Sequence, residues 1–341
     1  MDQRKKDHLD LTKNAQAHFA FAHDARFNYE PLWGSHQIAK DHYQRPFSFL
    51  GKTLRAPLWI SSMTGGTGRA LEINQRLARV AHEFGLGMGL GSCRPILDSQ
   101  KSWEQFNLRP ILGDDLPFYA NLGICQIEKL VEQKRLDQVF NMVEKLSADG
   151  LIVHLNPLQE WAQKEGDFLK NPPLETIEKL LSVSPIPIMV KEVGQGMGPK
   201  TLHALWQMPI AGVELAAFGG TNFTWLETLR HSEQIQEHHA KNVAQSLAQV
   251  GHTLAEMVMM INQLQSQMSP TMKAKEVIIS GGVKNFLDGH YWRKKLSSPS
   301  IYGQAFSFIK VAEKSYEELQ QFVHHELQGL AMAEAFLSVK I

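Results

Sequence analysis

The apolar run Ile186-Pro187-Ile188-Met189-Val190 ends directly in Lys191, which puts an ammonium group at the tip of what reads as a buried strand. A cation in such a partly desolvated position stabilises negative charge on an anionic ring or an enolate-like group. The densest polar cluster to follow another apolar run is His154-Leu155-Asn156-Pro157-Leu158-Gln159-Glu160. Glu160 offers a hard oxygen to a divalent cation, Asn156 a second, and a diphosphate would complete the shell, since magnesium sites commonly join few protein ligands to substrate phosphates. The same string also reads as a plain helix start, with Asn156 as N-cap and Glu160 as a first-turn acid. Three glycine-rich turns, Gly219-Gly220-Thr221-Asn222, Ser280-Gly281-Gly282 and Gly303-Gln304, present backbone amides that can close on phosphate oxygens.

These residues need a scaffold that gathers them. Eight short β-rich runs, Pro57–Ser61, Leu86–Leu90, Pro117–Asn121, Leu151–His154, Ile186–Val190, Gly212–Ala216, Val277–Ile279 and Ser300–Tyr302, alternate with amphipathic helical stretches. Strict alternation implies parallel strands joined by right-handed crossovers, and eight units predict an α/β fold, the (βα)8 TIM barrel. Polar residues and glycines follow every one of the eight runs, where a barrel of this kind keeps its active site. In the second run Gly85, Gly87, Gly89 and Gly91 leave one face bare, which implies close approach of backbone or of a flat ligand. Thr253 and Glu256 form a capping box ahead of Leu254, Met257, Val258, Ile261 and Leu264, with Met257, Met259 and Met260 read as core filler. No composition shift divides residues 1–341. Residues 1–50 read as an N-terminal extension folding over the barrel mouth, and 231–241 as a lid or extra helix.

With 35 Lys and Arg against 35 Asp and Glu the formal charge is zero, which argues against a nucleic-acid partner. No apolar run approaches the roughly 18–20 residues of a bilayer span, and no apolar stretch follows the charged start, so neither membrane nor export is expected. Two cysteines, Cys93 and Cys125, form no disulfide framework, which suits a cytoplasmic protein. Arg4, Lys5, Lys6 and His8 read, taken alone, as a solvated charge run.

Together the motifs resemble one family, the type 2, flavin-dependent isopentenyl diphosphate isomerases. The resemblance is carried by Arg4-Lys5-x-x-His8, Met63-Thr64-Gly65-Gly66, Gly91-Ser92-x-Arg94, Asn121-Leu122-Gly123, His154-Leu155-Asn156-x-x-Gln159-Glu160 with Gly166-Asp167, Lys191-Glu192-Val193-Gly194, Gly219-Gly220-Thr221-Asn222 and Ser280-Gly281-Gly282. It implies FMN and Mg2+ as cofactors, NADPH as reductant of the flavin, isopentenyl and dimethylallyl diphosphate as substrates, and a homo-oligomer, tetramer or octamer. By position, Arg4, Lys5, Ser92, Arg94, His154 and Gln159 would touch the substrate, with Gln159 and His154 as catalytic residues and Glu160, assisted by Asn156, on the metal. Ser62, Met63, Thr64, Ser92, Asn121, Lys191 and Thr221 would border FMN, and Gly281, Gly282, Gln304 and Ala305 would take its phosphate. The chain departs from the family pattern at Cys93, at Leu296-Ser297-Ser298-Pro299-Ser300 and at Asn222-Phe223. Two other readings are an FMN oxidase of 2-hydroxy acids, which needs a His base and a carboxylate-clamping Arg absent from Ser280–Asn285, and a flavin-binding protein without turnover, which has no use for Glu160.

Overall fold

The computed structural model describes residues 2–16, 22–43, 45–63, 68–98, 100–230, 238–267 and 275–340. Among them eight parallel strands close into a barrel: β1 (Leu58–Ile60), β2 (Gly87–Gly89), β3 (Phe118–Gly123), β4 (Gly150–Leu155), β5 (Ile188–Glu192), β6 (Gly212–Glu214), β7 (Glu276–Ile279) and β8 (Ser300–Gln304). β8 returns to β1 in the register Tyr302↔Leu58, Gly303↔Trp59, Gln304↔Ile60. Strands covered on both faces have no solvated side, so they run as apolar strings, and Leu151, Ile152, Val153, Val277, Ile278 and Ile279 are all fully buried.

All eight expected strands occur, with ends shifted by at most two residues. β3, β4 and β5 run one or two residues past their expected ends, to Gly123, Leu155 and Glu192, so that Lys191 joins Asn121 and His154 as a strand residue. The bare face of β2 is approached by side chains. A Cβ on Gly87 would sit 2.3 Å from the Trp59 indole, and one on Gly89 would sit 2.5 Å from Ser62 Oγ, so the glycines make room for a large side chain of the adjacent strand.

The extension is distributed differently from a single cover over the mouth. Its hairpin, Phe47–Phe49 with Lys52–Leu54, turns through Leu50 (φ 51°) and Gly51 (φ 74°), the left-handed pair that a tight hairpin requires. The Leu50 N–H donates to Glu276 at 2.8 Å, and Lys52 pairs with Asp149 at 2.6 Å and donates to the Asp114 carbonyl. Glu276 and Asp149 stand where β7 and β4 begin, so the hairpin seals the N-terminal face of the barrel, with Phe49 and Leu54 fully buried. Upstream, Phe27–Tyr29 pairs antiparallel with Leu337–Val339, and the helix His36–Tyr43 lies along the long helix Tyr316–Phe336.

The capping box forms, with the Thr253 N–H donating to Glu256 at 2.8 Å, and Leu254, Met257, Val258 and Ile261 are buried on its helix. Met259 is 63% exposed and is not core filler. The segment read as a lid or extra helix continues into the helix His238–Ala248, while 231–237 lie outside the described residues. Leu296 is buried and Ser297 bonds Asn262 through both its N–H and its hydroxyl, so the divergent stretch before β8 is anchored to the helix Leu254–Gln267. No helix among the described residues is long and apolar enough to cross a membrane.

Candidate active site

At the C-terminal ends of β1, β5, β6, β7 and β8 lies a cleft of about 520 Å3. Of the residues assigned to FMN from the sequence, Ser62, Met63, Lys191, Thr221, Gly281, Gly282, Gln304 and Ala305 line it. Thr64 lies outside the described residues. Ser92 and Asn121 are not among the residues lining the cleft; their strand ends are joined by the Cys93 N–H, which donates to the Asn121 carbonyl at 2.7 Å.

The glycines of the cleft are there for backbone reasons. Gly219, Gly281 and Gly282 adopt φ of 124°, 88° and 75°. A Cβ on Gly281 would stand 2.1 Å from the Ala217 carbonyl oxygen, and one on Gly220 would stand 3.1 Å from the Gly282 nitrogen. The two turns therefore face each other backbone to backbone. Ala216, at φ 43°, carries strain into the same wall.

Five buried polar atoms along this cleft have no partner among the described residues: Ser61 Oγ, Ser62 Oγ, Gln304 Nε2 and Oε1, and Glu214 Oε2. Buried polar atoms are normally satisfied, and leaving one unpaired costs roughly 1–3 kcal/mol. Five such atoms on residues that line one cavity suit a polar ligand there. Glycine turns for a phosphate and a buried lysine beside donors and acceptors for a ring fit FMN.

Neighbouring strands place a row of polar side chains in register: His154 opposite Lys191, and Lys191 opposite Glu214. Lys191 is 6% exposed and donates to the Glu192 carbonyl at 2.8 Å. His154 Nδ1 stands 2.6 Å from Asn121 Oδ1, so Nδ1 carries the proton and Nε2 keeps its lone pair. Burial, and next the Lys191 charge, push the His154 pKa down to about 3. Glu214, missed from the sequence, is 1% exposed. Its signal was a carboxylate inside the otherwise apolar strand Gly212-Val213-Glu214-Leu215-Ala216, a placement that is rare without a partner or a role.

The depressed His154 pKa has a stability consequence. An unfolded histidine titrates near 6.5, so below that pH the unfolded chain takes up a proton that the folded chain refuses down to about 3. Stability is therefore unaffected by this group above pH 6.5 and falls as the pH drops through the window beneath it. His154→Gln is expected to lose less melting temperature than wild type between pH 7.5 and pH 5; equal losses would show that His154 is not buried in the neutral form.

The short helix Pro157–Ala162 starts immediately after β4 and turns its first residues to different sides. Asn156 and Glu160 are both buried, and Asn156 Nδ2 donates to Glu160 at 2.9 Å. The second Glu160 oxygen accepts the Asp167 N–H at 2.8 Å. Asn156 makes no side-chain cap, and its buried Oδ1 has no partner among the described residues. An orphaned amide oxygen beside one carboxylate fits a hard cation that draws its other ligands from phosphate and water; among the described residues no cluster of three or more metal-binding side chains occurs. Arg94 pairs with Asp167 at 3.4 Å, which brings Arg94, Asp167 and Glu160 into one neighbourhood. Gln159 Oε1 accepts from the same Asn156 Nδ2 at 3.3 Å, and the residue also lines a neighbouring cavity shared with Leu155, Leu158, Ile177 and Glu192. Arg4 and Lys5 are exposed on the helix Asp2–Leu11.

No family profile matches the chain. Among solved structures, the recombinant flavin-binding domain of baker's yeast flavocytochrome b2 superposes with a TM-score of 0.60 at 14% identity, covering 91% of this chain and 71% of that one. A mandelate oxidase variant with a monooxide FMN adduct gives 0.51 at 13% identity, covering 87% and 83%. These likenesses speak for the barrel fold. Sequence relatives go further: the isopentenyl-diphosphate delta-isomerase of Rickettsia peacockii (strain Rustic) is 33% identical over 331 residues, 94% of this chain and 90% of its own length. That of Cronobacter sakazakii (strain ATCC BAA-894) is 33% identical over 320 residues, 92% and 86%. Identity of one residue in three, kept along nearly the whole barrel, makes this chain a member of the isopentenyl-diphosphate delta-isomerase family of enzymes.

Proposed function

We propose that the protein interconverts isopentenyl and dimethylallyl diphosphate as a flavin-dependent, type 2 enzyme, with FMN in the glycine-walled cleft, Mg2+ on the substrate diphosphate and NADPH needed only to reduce the flavin. The observation that carries this reading is the set of five orphaned polar atoms on residues lining one glycine-walled cleft in a chain of the isomerase family. The reaction adds a proton at one end of an alkene and removes one at the other. Reduced FMN, when bound, supplies acid and base positions beside a hydrocarbon.

The chain's own groups then have separate tasks. Gly281, Gly282, Gln304 and Ala305 receive the cofactor phosphate, and Ser62, Met63, Thr64 and Thr221 border the ring, with Ser92 and Asn121 supporting from the wall. The Lys191 ammonium holds negative charge in place, and Glu214 balances it one strand away. Arg4, Lys5, Ser92 and Arg94 grip the substrate diphosphate, and this remote binding energy positions the small alkene. His154 Nε2, kept unprotonated, accepts a hydrogen bond from the substrate side, and Gln159 swings toward the alkene from its present place beside Leu158. Glu160 and Asn156 hold the metal. A cytoplasmic homo-oligomer belongs to the same reading. The oxidase alternative is disfavoured because Ser280–Asn285 brings only Lys284 as a cation to the cleft.

The purified protein should bind FMN in preference to FAD, since no Gly-x-Gly-x-x-Gly turn is present to take an adenosine diphosphate half. It should turn over isopentenyl diphosphate with Mg2+ and chemically reduced FMN alone. Consumption of one NADPH per product would sink the isomerase reading, because no net electrons move in an isomerisation.

Deleting residues 1–8 removes Arg4 and Lys5. Loss of two charge-assisted contacts is expected to raise the KM for isopentenyl diphosphate by about ten- to a hundredfold while FMN affinity stays near normal. Unchanged steady-state kinetics in the truncated protein would return these cations to the solvated run they resemble in isolation.

A further inference from the structure

The opposite end of the barrel carries a second cavity, of about 380 Å3, between the sealing hairpin and the helices Phe286–Lys295 and Tyr316–Phe336. Its position is fixed by Ala56 and Pro57, which lead into β1, and by Arg293, whose Nε donates to the carbonyl of Ser300, the first residue of β8. It is thus separated from the glycine-walled cleft by the length of the barrel strands, and none of its lining residues borders that cleft.

Its chemistry is lopsided. Five basic side chains line it, His42, Arg45, Arg55, Arg293 and Lys294, against a single acid, Glu334. Glu334 is already shared: Lys294 holds one oxygen at 2.8 Å, and the other is approached by His290 at 3.4 Å and Arg293 at 3.5 Å. No carboxylate pairs with Arg45 or Arg55 among the described residues. Arg293 is mostly buried, lies over the Phe47 ring, and is held below its usual pKa by that burial. An arginine that deep with one distant carboxylate leaves positive charge uncompensated, and guanidinium groups suit phosphate geometry. The other wall is apolar, made by Leu327, Leu330 and Ala331 of the long helix.

We propose that this cavity is a second ligand site that takes a phosphate or diphosphate monoester carrying a short hydrocarbon group, its anionic end on Arg45, Arg55, Arg293 and Lys294 and its tail on the leucine wall. This site stands independently of the reaction assigned to the cleft.

The test is calorimetric titration of the full-length protein with geranyl diphosphate and with inorganic diphosphate. To silence the rim, the same titration is repeated on Arg94→Ala lacking residues 1–8. A binding event should survive there, and should weaken at least about tenfold in Arg45→Glu/Arg55→Glu/Lys294→Gln, which keeps a donor for Glu334 and whose melting temperature and kcat/KM for isopentenyl diphosphate should match wild type. Geranyl diphosphate should bind roughly tenfold tighter than inorganic diphosphate, from the apolar wall. The proposal is overturned if the triple variant binds as wild type does, if no event survives the rim variant, or if the two probes bind equally. It also falls if light scattering shows that the triple variant changes oligomeric state, because the face would then be an interface between copies of the chain.

Discussion

Gly281→Ala should purify without flavin and melt well below the wild-type protein. Its Cβ would stand 2.1 Å from the Ala217 carbonyl oxygen and 2.2 Å from the Ala217 nitrogen, both backbone atoms with no rotamer to escape into. It would also force a non-glycine residue to φ 88°. The left-handed conformation costs roughly 1–2 kcal/mol and overpacking a further 1–3, a large part of the about 5–15 kcal/mol that holds a domain together. Gly282→Ala is the control. It shares the conformational cost at φ 75°, but its Cβ meets nothing closer than 3.4 Å. FMN content and melting temperature should therefore fall in the order wild type, Gly282→Ala, Gly281→Ala, with most of the loss at the last step. If the two variants lose flavin equally, the cradle is not set by the close approach of Gly281 to the Ala217 backbone.

Glu160→Gln and Gln159→Ala, one residue apart, should fail in different ways. Glu160 accepts from Asn156 Nδ2 with one oxygen and from the Asp167 N–H with the other. An amide in its place removes the charge from the hard-cation site and turns an NH2 group toward another donor. Activity should fall on the order of a hundredfold and recover in part as Mg2+ is raised, as expected when metal affinity is what was lost. Glu160→Asp, which keeps the charge, should recover at lower Mg2+ than Glu160→Gln. Gln159→Ala should lower kcat and kcat/KM together with no rescue by metal, because an interaction made only in the transition state disappears from both. Identical Mg2+ dependence in the two variants would show that Glu160 is a first-turn helix acid and no more.

Much of this was legible before any coordinates. Alternation of apolar runs with one-sided helices is a consequence of parallel strands covered on both faces, so the barrel could be read from periodicity. The polar residues after each strand collect at one rim because the strands are parallel. What escaped has equally physical causes. Phe47-Ser48-Phe49 and Lys52-Thr53-Leu54 are too short for periodicity to say which end of a barrel they close; that is decided by Glu276 and Asp149, more than ninety residues away in sequence. Glu214 was passed over because an acid within a strand breaks the apolar run that defines it. That Gln159 and Glu160 share the Asn156 amide depends on the exit angle of β4, since each residue of a helix turns about 100° from the last. The bare face of β2 was correctly sensed as a close approach, but its occupant, Trp59, sits on another strand.

The ribbon that joins Phe27–Tyr29 to Leu337–Val339 makes the two termini mechanically one object. Lys5 lies 22 residues upstream of Phe27, a tether of at most about 80 Å at roughly 3.3–3.6 Å per residue. The ribbon is the post to which that tether is tied, and the local concentration of the N-terminal cations around any diphosphate depends on where the post stands. Removal of residues 337–341 touches no group of the cleft, yet it would leave the arm tied through Arg26 on Asp288 and Phe27 on His290, loosening it and diluting its charges. A C-terminal deletion should then reproduce part of the kinetic defect of an N-terminal one.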